Sequence, residues 1–124
     1  MTRILVVDDD PRNLRLAVTV LEQAGYEVLS AKDGAEAIDT ALAHAPDLVL
    51  MDVQMSGMDG TTALHRLRAD VRTAALKVVA LTALAMKGDA ERLIQEGFDG
   101  YLKKPIRYKE FLVSVAALLS GESQ

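Results

Sequence analysis

The chain contains no cysteine and no tryptophan. Without thiols there is no disulfide framework and no thiolate metal site, so any bound metal must rest on oxygen or imidazole ligands. Aromatic residues make up only 4% of the sequence, which leaves an aliphatic core of Leu, Val, Ile, Ala and Met. A basic excess is also lacking. The net charge is −4, and the longest basic run is Lys103-Lys104. Nucleic-acid binding needs clustered cations, because phosphate contacts dominate its affinity, so no nucleic-acid partner is expected. No apolar stretch approaches the roughly 20 residues that span a bilayer. The apolar run Ile4 to Val7 is too short for a signal sequence, and acids follow it at once. The expectation is a soluble cytoplasmic protein with no membrane partner.

What is present suits one domain. A chain of 124 residues, half of them hydrophobic, can build a real core but not two. The domain is expected over residues 1–121, with 122–124 as a frayed tail and no output domain on the chain.

Two kinds of segment alternate. Short apolar or β-branched runs occur at Ile4 to Val7, Glu27 to Ser30, Leu48 to Met51, Lys77 to Leu81 and, more weakly, Gly100 to Lys103. Continuous apolar runs mark parallel strands covered on both faces. Between them lie segments of helical period. The first has Asp10 as N-cap, Pro11 at its first position, Leu14, Ala17, Val18 and Leu21 inward, and Gly25 at its end. The second runs over 34–44 with Ala35, Ile38 and Leu42 inward, and the third over 60–68 with Leu64 and Leu67 inward. The fourth runs over 87–95 with Ala90, Leu93 and Ile94 inward, ending at Gly97. The fifth runs over 108–119 on Phe111, Leu112, Val115, Leu118 and Leu119. Strict alternation with short loops predicts an α/β fold: a flavodoxin-like, doubly wound sheet of five parallel strands in the order 2-1-3-4-5, with five helices on both faces.

In such a sheet, ligands bind beyond the carboxyl ends of the strands. Strand 1 ends in Asp8-Asp9-Asp10, strand 3 in Asp52, strand 4 in Thr82, and strand 5 runs into Lys103-Lys104-Pro105. Carboxylates on adjacent strands repel unless a cation lies between them. Hard oxygen ligands favour magnesium. Asp10 reads as the cap of the first helix, whereas Asp8 and Asp9 directly follow a buried strand. Asp52 could cap a helix, but the next helix begins only near Asp59-Gly60. A carboxylate beside a metal ion can attack phosphorus. Thr82 could donate to a phosphoryl oxygen or be an ordinary strand-end residue. Lys104 could neutralise phosphoryl charge, aimed inward by a cis bond to Pro105, or be a solvated surface charge. Metal, nucleophile, hydroxyl donor and cation together suit phosphoryl transfer.

The motifs ILVVDDD, LVLMDVQMSGMDG, VVALTA and YLKKP stand in order at the right strand ends. On these the chain resembles bacterial response-regulator receiver domains along essentially its whole length. The segment from Ala80 to Ile106 looks like stand-alone, single-domain regulators of the DivK type. The resemblance implies a Mg2+-dependent phosphoacceptor role for Asp52, with Mn2+ able to substitute. Asp9 would ligate the metal directly, Asp8 through water, Asp52 itself and Gln54 through its backbone carbonyl. Thr82 and Lys104 would bind the phosphoryl group, and Tyr101 would swing inward as the aromatic switch. Read without the resemblance, Tyr101 is a half-buried strand residue. The donor would be a sensor histidine kinase or histidine phosphotransfer protein. Its docking surface would comprise Asn13, Leu14 and Leu16 with Pro105 and Ile106. Leu16 and Val20 lie off the inward stripe, which suits either docking or packing against helix 5. Output would pass to a downstream protein effector, from a monomer or weak dimer. Ser56 and Leu84 depart from the family pattern, which bears on turn stiffness and phosphate lifetime. His44 and His65 read as solvated.

Such a domain is a switch that promotes its own phosphorylation and dephosphorylation. The competing reading is a small phosphatase of the haloacid-dehalogenase type. That class needs Asp-x-Asp after strand 1, which Asp8-x-Asp10 satisfies literally, and its acyl phosphate would form on Asp8. A fold that no longer takes phosphate is a further possibility. Flavin binding would need a Ser/Thr/Gly-rich loop after strand 1, which is missing.

Overall fold

A computed structural model describes residues 2–55, 58–83 and 88–120. Five strands alternate with five helices: β1 (Arg3–Val7), α1 (Pro11–Gln23), β2 (Glu27–Ala31), α2 (Gly34–His44), β3 (Leu48–Asp52), α3 (Gly60–Ala69), β4 (Val78–Thr82), α4 (Asp89–Glu96), β5 (Gly100–Lys103) and α5 (Tyr108–Leu119). The strands form one parallel sheet in the order β2-β1-β3-β4-β5, as the alternation predicts.

The apolar runs have a direct cause in this sheet. Successive residues of a strand face opposite sides, and here both sides are buried. Leu5, Val7, Val49, Met51, Val78 and Ala80 pack with residues of α2, α3 and α4. Ile4, Val6, Leu48, Leu50, Val79 and Leu81 pack with residues of α1 and α5. A polar side chain on either face of β1, β3 or β4 would therefore be desolvated. Polar groups are confined to the strand ends.

The helix starts follow local chemistry. Asp10, Asp33 and Asp59 each accept a backbone hydrogen bond from the first turn that follows them, with Pro11 at the first position of α1. Gly25 adopts φ +97° just past α1, which lets the chain turn into β2.

Several inward assignments change. Ala35 is exposed, and the core face of α2 is carried by Ala37 and Ala41. Ile94 is 47% exposed, and Leu93 is the buried residue of α4. Neighbouring helical residues point about 100° apart, and in α4 the inward direction falls to Leu93, which turns Ile94 outward. α4 begins at Asp89, and among the described residues no side chain caps it. Val20 is 5% exposed and packs with Phe111, Val115 and Leu118, so it is a core residue rather than a docking one. Ser56, Leu84 and the tail at 121–124 lie outside the described residues.

Candidate functional site

The register brings the chemistry to one edge of the sheet. Val7 pairs with Met51, so the residues that follow them, Asp8 and Asp52, leave neighbouring strands at the same level. Asp52 pairs with Leu81, and Thr82 pairs with Lys103. Lys104, one residue on, donates its backbone N–H to the Thr82 carbonyl at 2.8 Å. The peptide bond from Lys104 to Pro105 is cis.

Asp8 is 1%, Asp52 6% and Thr82 2% exposed, whereas Asp9 lies at the surface. Oxygen atoms of Asp8, Asp9 and Asp52 all lie within 4.8 Å of one another. Three hard oxygen donors at this spacing fit a divalent cation of the magnesium type. Asp10 has a different task. It is exposed, and its Oδ1 accepts the Arg12 N–H at 2.9 Å, as an N-cap does.

Lys104 ties the two buried carboxylates together. Its Nζ lies 2.9 Å from Asp8 Oδ2 and 3.0 Å from Asp52 Oδ2. The other oxygen of each acid is also engaged: the Asp10 N–H donates to Asp8 Oδ1 at 2.9 Å, and the Gln54 N–H to Asp52 Oδ1 at 3.1 Å. Burial alone would lower the Lys104 pKa, but its hydrogen bonds to Asp8 and Asp52 outweigh that and raise it. Burial pushes the Asp52 carboxyl above the usual carboxylate range, against the hydrogen bonds from Lys104 and Gln54 and with help from the Asp8 charge. The arrangement is a desolvated carboxylate with one ammonium partner, next to a set of oxygen ligands.

Two contributors were not legible as site residues. A Cβ on Gly60 would stand 2.5 Å from the Asp52 carbonyl oxygen and 2.9 Å from Val53 Cα. Only a residue without a side chain lets α3 start against the backbone that carries Asp52. The Gly60 N–H donates to the Val53 carbonyl at 3.1 Å, which closes the loop. The Asp-Gly pair at the helix start was the available signal. The second is Arg92. It lines a cavity of about 550 Å3 with Asp9, Gln54, Met55, Asp59 and Thr61. In sequence it is one more charge on an amphipathic helix.

Tyr101 is half-buried on β5, paired with Ala80, and it lines a shallow cavity with Ile94 and Gln95 of α4. Leu16 is 45% exposed and lines a surface cavity with Pro11, Arg12, Arg15 and Thr19. Asn13 and Leu14 are half-buried, Leu14 packing against the core. Pro105 is exposed, and Ile106 packs against the same core face as Leu14. His44 and His65 are exposed, as the sequence suggested.

The model of the response regulator receiver domain matches residues 4–116. The chain belongs to the response regulator receiver family. The receiver is 37% identical over 116 residues to the polar-differentiation response regulator DivK of Brucella anthropi, covering 94% of each chain. Among solved structures, it is similar to the chemotaxis response regulator CheY4 of Vibrio cholerae. The TM-score is 0.89 at 27% identity, over 95% of this chain and 98% of that one. It is also similar to a CheY-like receiver domain protein of Methanospirillum hungatei. There the TM-score is 0.86 at 27% identity, over 98% and 95%. The receiver is thus a response regulator of two-component signalling, from a family of phosphoacceptor switches that work with histidine kinases and downstream effectors. Among the described residues, no helix is long and apolar enough to cross a membrane.

Proposed function

We propose that this receiver accepts a phosphoryl group on Asp52 from a phosphohistidine of a sensor kinase or phosphotransfer protein, and passes the change on by contact with an effector protein. The observation that carries this reading is Lys104 bridging Asp8 and Asp52, with Asp9 beside them and Thr82 buried at the next strand end. In the transfer, an Asp52 carboxylate oxygen forms a bond to phosphorus as the bond from phosphorus to the donor imidazole nitrogen breaks. That nitrogen keeps the electron pair. Magnesium, or manganese in its place, would be held by Asp8, Asp9, Asp52 and the Gln54 carbonyl and would neutralise phosphoryl charge. Lys104 exchanges its ion pair with the acids for one with a phosphoryl oxygen, and the Thr82 hydroxyl donates to another.

The switch follows from those movements. Thr82 and Tyr101 stand on paired strands, so drawing Thr82 toward the phosphate opens room for the ring of Tyr101 to turn inward. The surface formed by β5 and α4 then changes, which biases a two-state equilibrium. Donor docking falls to Asn13, Leu14 and Leu16 of α1 with Pro105 and Ile106, where Leu16 offers an exposed apolar contact. One domain over residues 1–121, acting in the cytoplasm as a switch that governs its own phosphorylation and dephosphorylation, completes the reading. Against phosphatase chemistry on Asp8, the second acid of its Asp-x-Asp pair, Asp10, is spent on capping α1.

Beryllofluoride with Mg2+ tests the proposal. NMR resonances of Thr82, Lys104 and Tyr101 should shift together in the native protein and stay in place in Asp52→Asn. Absence of any shift at Thr82 and Lys104 in the native protein would contradict it.

A further inference from the structure

Arg92 is the only cationic side chain among the described residues lining the cavity that opens over Asp9 and Gln54. Two acids, Asp9 and Asp59, line the same space. The guanidinium is 55% exposed and lies 3.9 Å from Asp89 Oδ1, at the outer limit of an ion pair. The helix that carries it is tied to α3. Glu96, four residues on and hence on the same face of α4, accepts a hydrogen bond from Thr61 Oγ1 of α3 at 3.0 Å. Lys104 is committed to Asp8 and Asp52. An anion arriving through this mouth therefore meets two carboxylates and, among the described residues, one positive side chain, that of Arg92, whose contact with Asp89 is long at 3.9 Å.

We propose that Arg92 is a positioning residue for the phosphoryl dianion of a small acyl-phosphate donor, which a cavity of about 550 Å3 can admit. The guanidinium fork receives two phosphoryl oxygens at the mouth. Transfer then forms the bond between Asp52 and phosphorus, breaks the bond between phosphorus and the acyl oxygen, and releases the carboxylate anion. This inference rests on Asp52 being the acceptor. The same charge works against a cation at Asp9, so removing it has opposite effects on the two ligands.

The test compares native protein, Arg92→Gln and Arg92→Lys. Phosphorylation by acetyl phosphate is followed by intact mass, and Mg2+ binding without donor by calorimetry. Arg92→Gln should raise KM for acetyl phosphate about fivefold with kcat little changed, and Arg92→Lys should recover most of the loss. Added salt should shrink the difference. Mg2+ should bind Arg92→Gln about twofold more tightly. An unchanged KM overturns the proposal, as does weaker binding of both Mg2+ and donor, which marks structural damage instead. Native protein that takes no phosphate on Asp52 overturns the acceptor reading and this inference with it.

Discussion

At Lys104, one ammonium answers two buried carboxylates, and its removal would leave Asp8 and Asp52 facing each other with little water. Losing one partner of a buried ion pair costs roughly 3–5 kcal/mol, and less where one flank opens to solvent, as it does here at Asp9. Lys104→Met is therefore expected to lose about 2–3 kcal/mol in metal-free buffer. Denaturant titration should also find that Mg2+ restores more stability to this variant than to the native chain. Unchanged stability of the variant would mean the ion pairs do not hold in solution. The acid has its own signature. The Asp52 carboxyl should titrate above its ordinary value of 3.8 in the metal-free protein, read from its side-chain carbon by NMR. Because the folded-state pKa is raised, this group favours the folded state below 3.8 and loses that contribution as pH climbs through the folded value. A midpoint at or below 3.8 would contradict the burial argument. Asp8, Asp9, Asp52, Thr82 and Lys104 could all be picked from the sequence because each stands where an apolar strand stops. Arg92 and Gly60 could not, because their meaning depends on which backbone or cavity they face across the fold.

Among the elements, β3 and α3 carry the most constraint. α3 begins against the Asp52 carbonyl, and Gly60 makes that approach possible. Gly60→Ala would force the helix or the strand end to shift, at a cost of about 1–3 kcal/mol. The rate of phosphorylation at Asp52 should fall as well, although every polar site residue is intact. Native stability and rate together would show that the contact relaxes freely. The strands were the most legible elements, since being covered on both faces leaves an unbroken apolar run. Helix phases were less so. Alanine serves both core and surface, so the pattern alone did not separate exposed Ala35 from buried Ala37 and Ala41. Ile94 reads as core by composition, yet it sits beside Tyr101 on an outer face of α4 because Leu93 takes the inward position. Val20 was ambiguous for the opposite reason: whether it docks a partner or packs on α5 depends on helix placement.

For the whole molecule, strand order decides function. In any order that separated β1 from β3, Asp8 and Asp52 would not meet and no pair of acids would await a cation. The alternation of elements made that order readable in advance, because a parallel sheet with short right-handed crossovers admits few topologies. The central claim is that the phosphoryl group resides on Asp52 and not on Asp8, the only other buried acid among the described residues. The direct measurement is to phosphorylate the native chain with acetyl phosphate and Mg2+, reduce the acyl phosphate with borohydride, and locate the reduced residue by peptide mass spectrometry. The account predicts reduction at Asp52 and none in Asp52→Asn. Reduction at Asp8, or labelling that persists in Asp52→Asn, would contradict it.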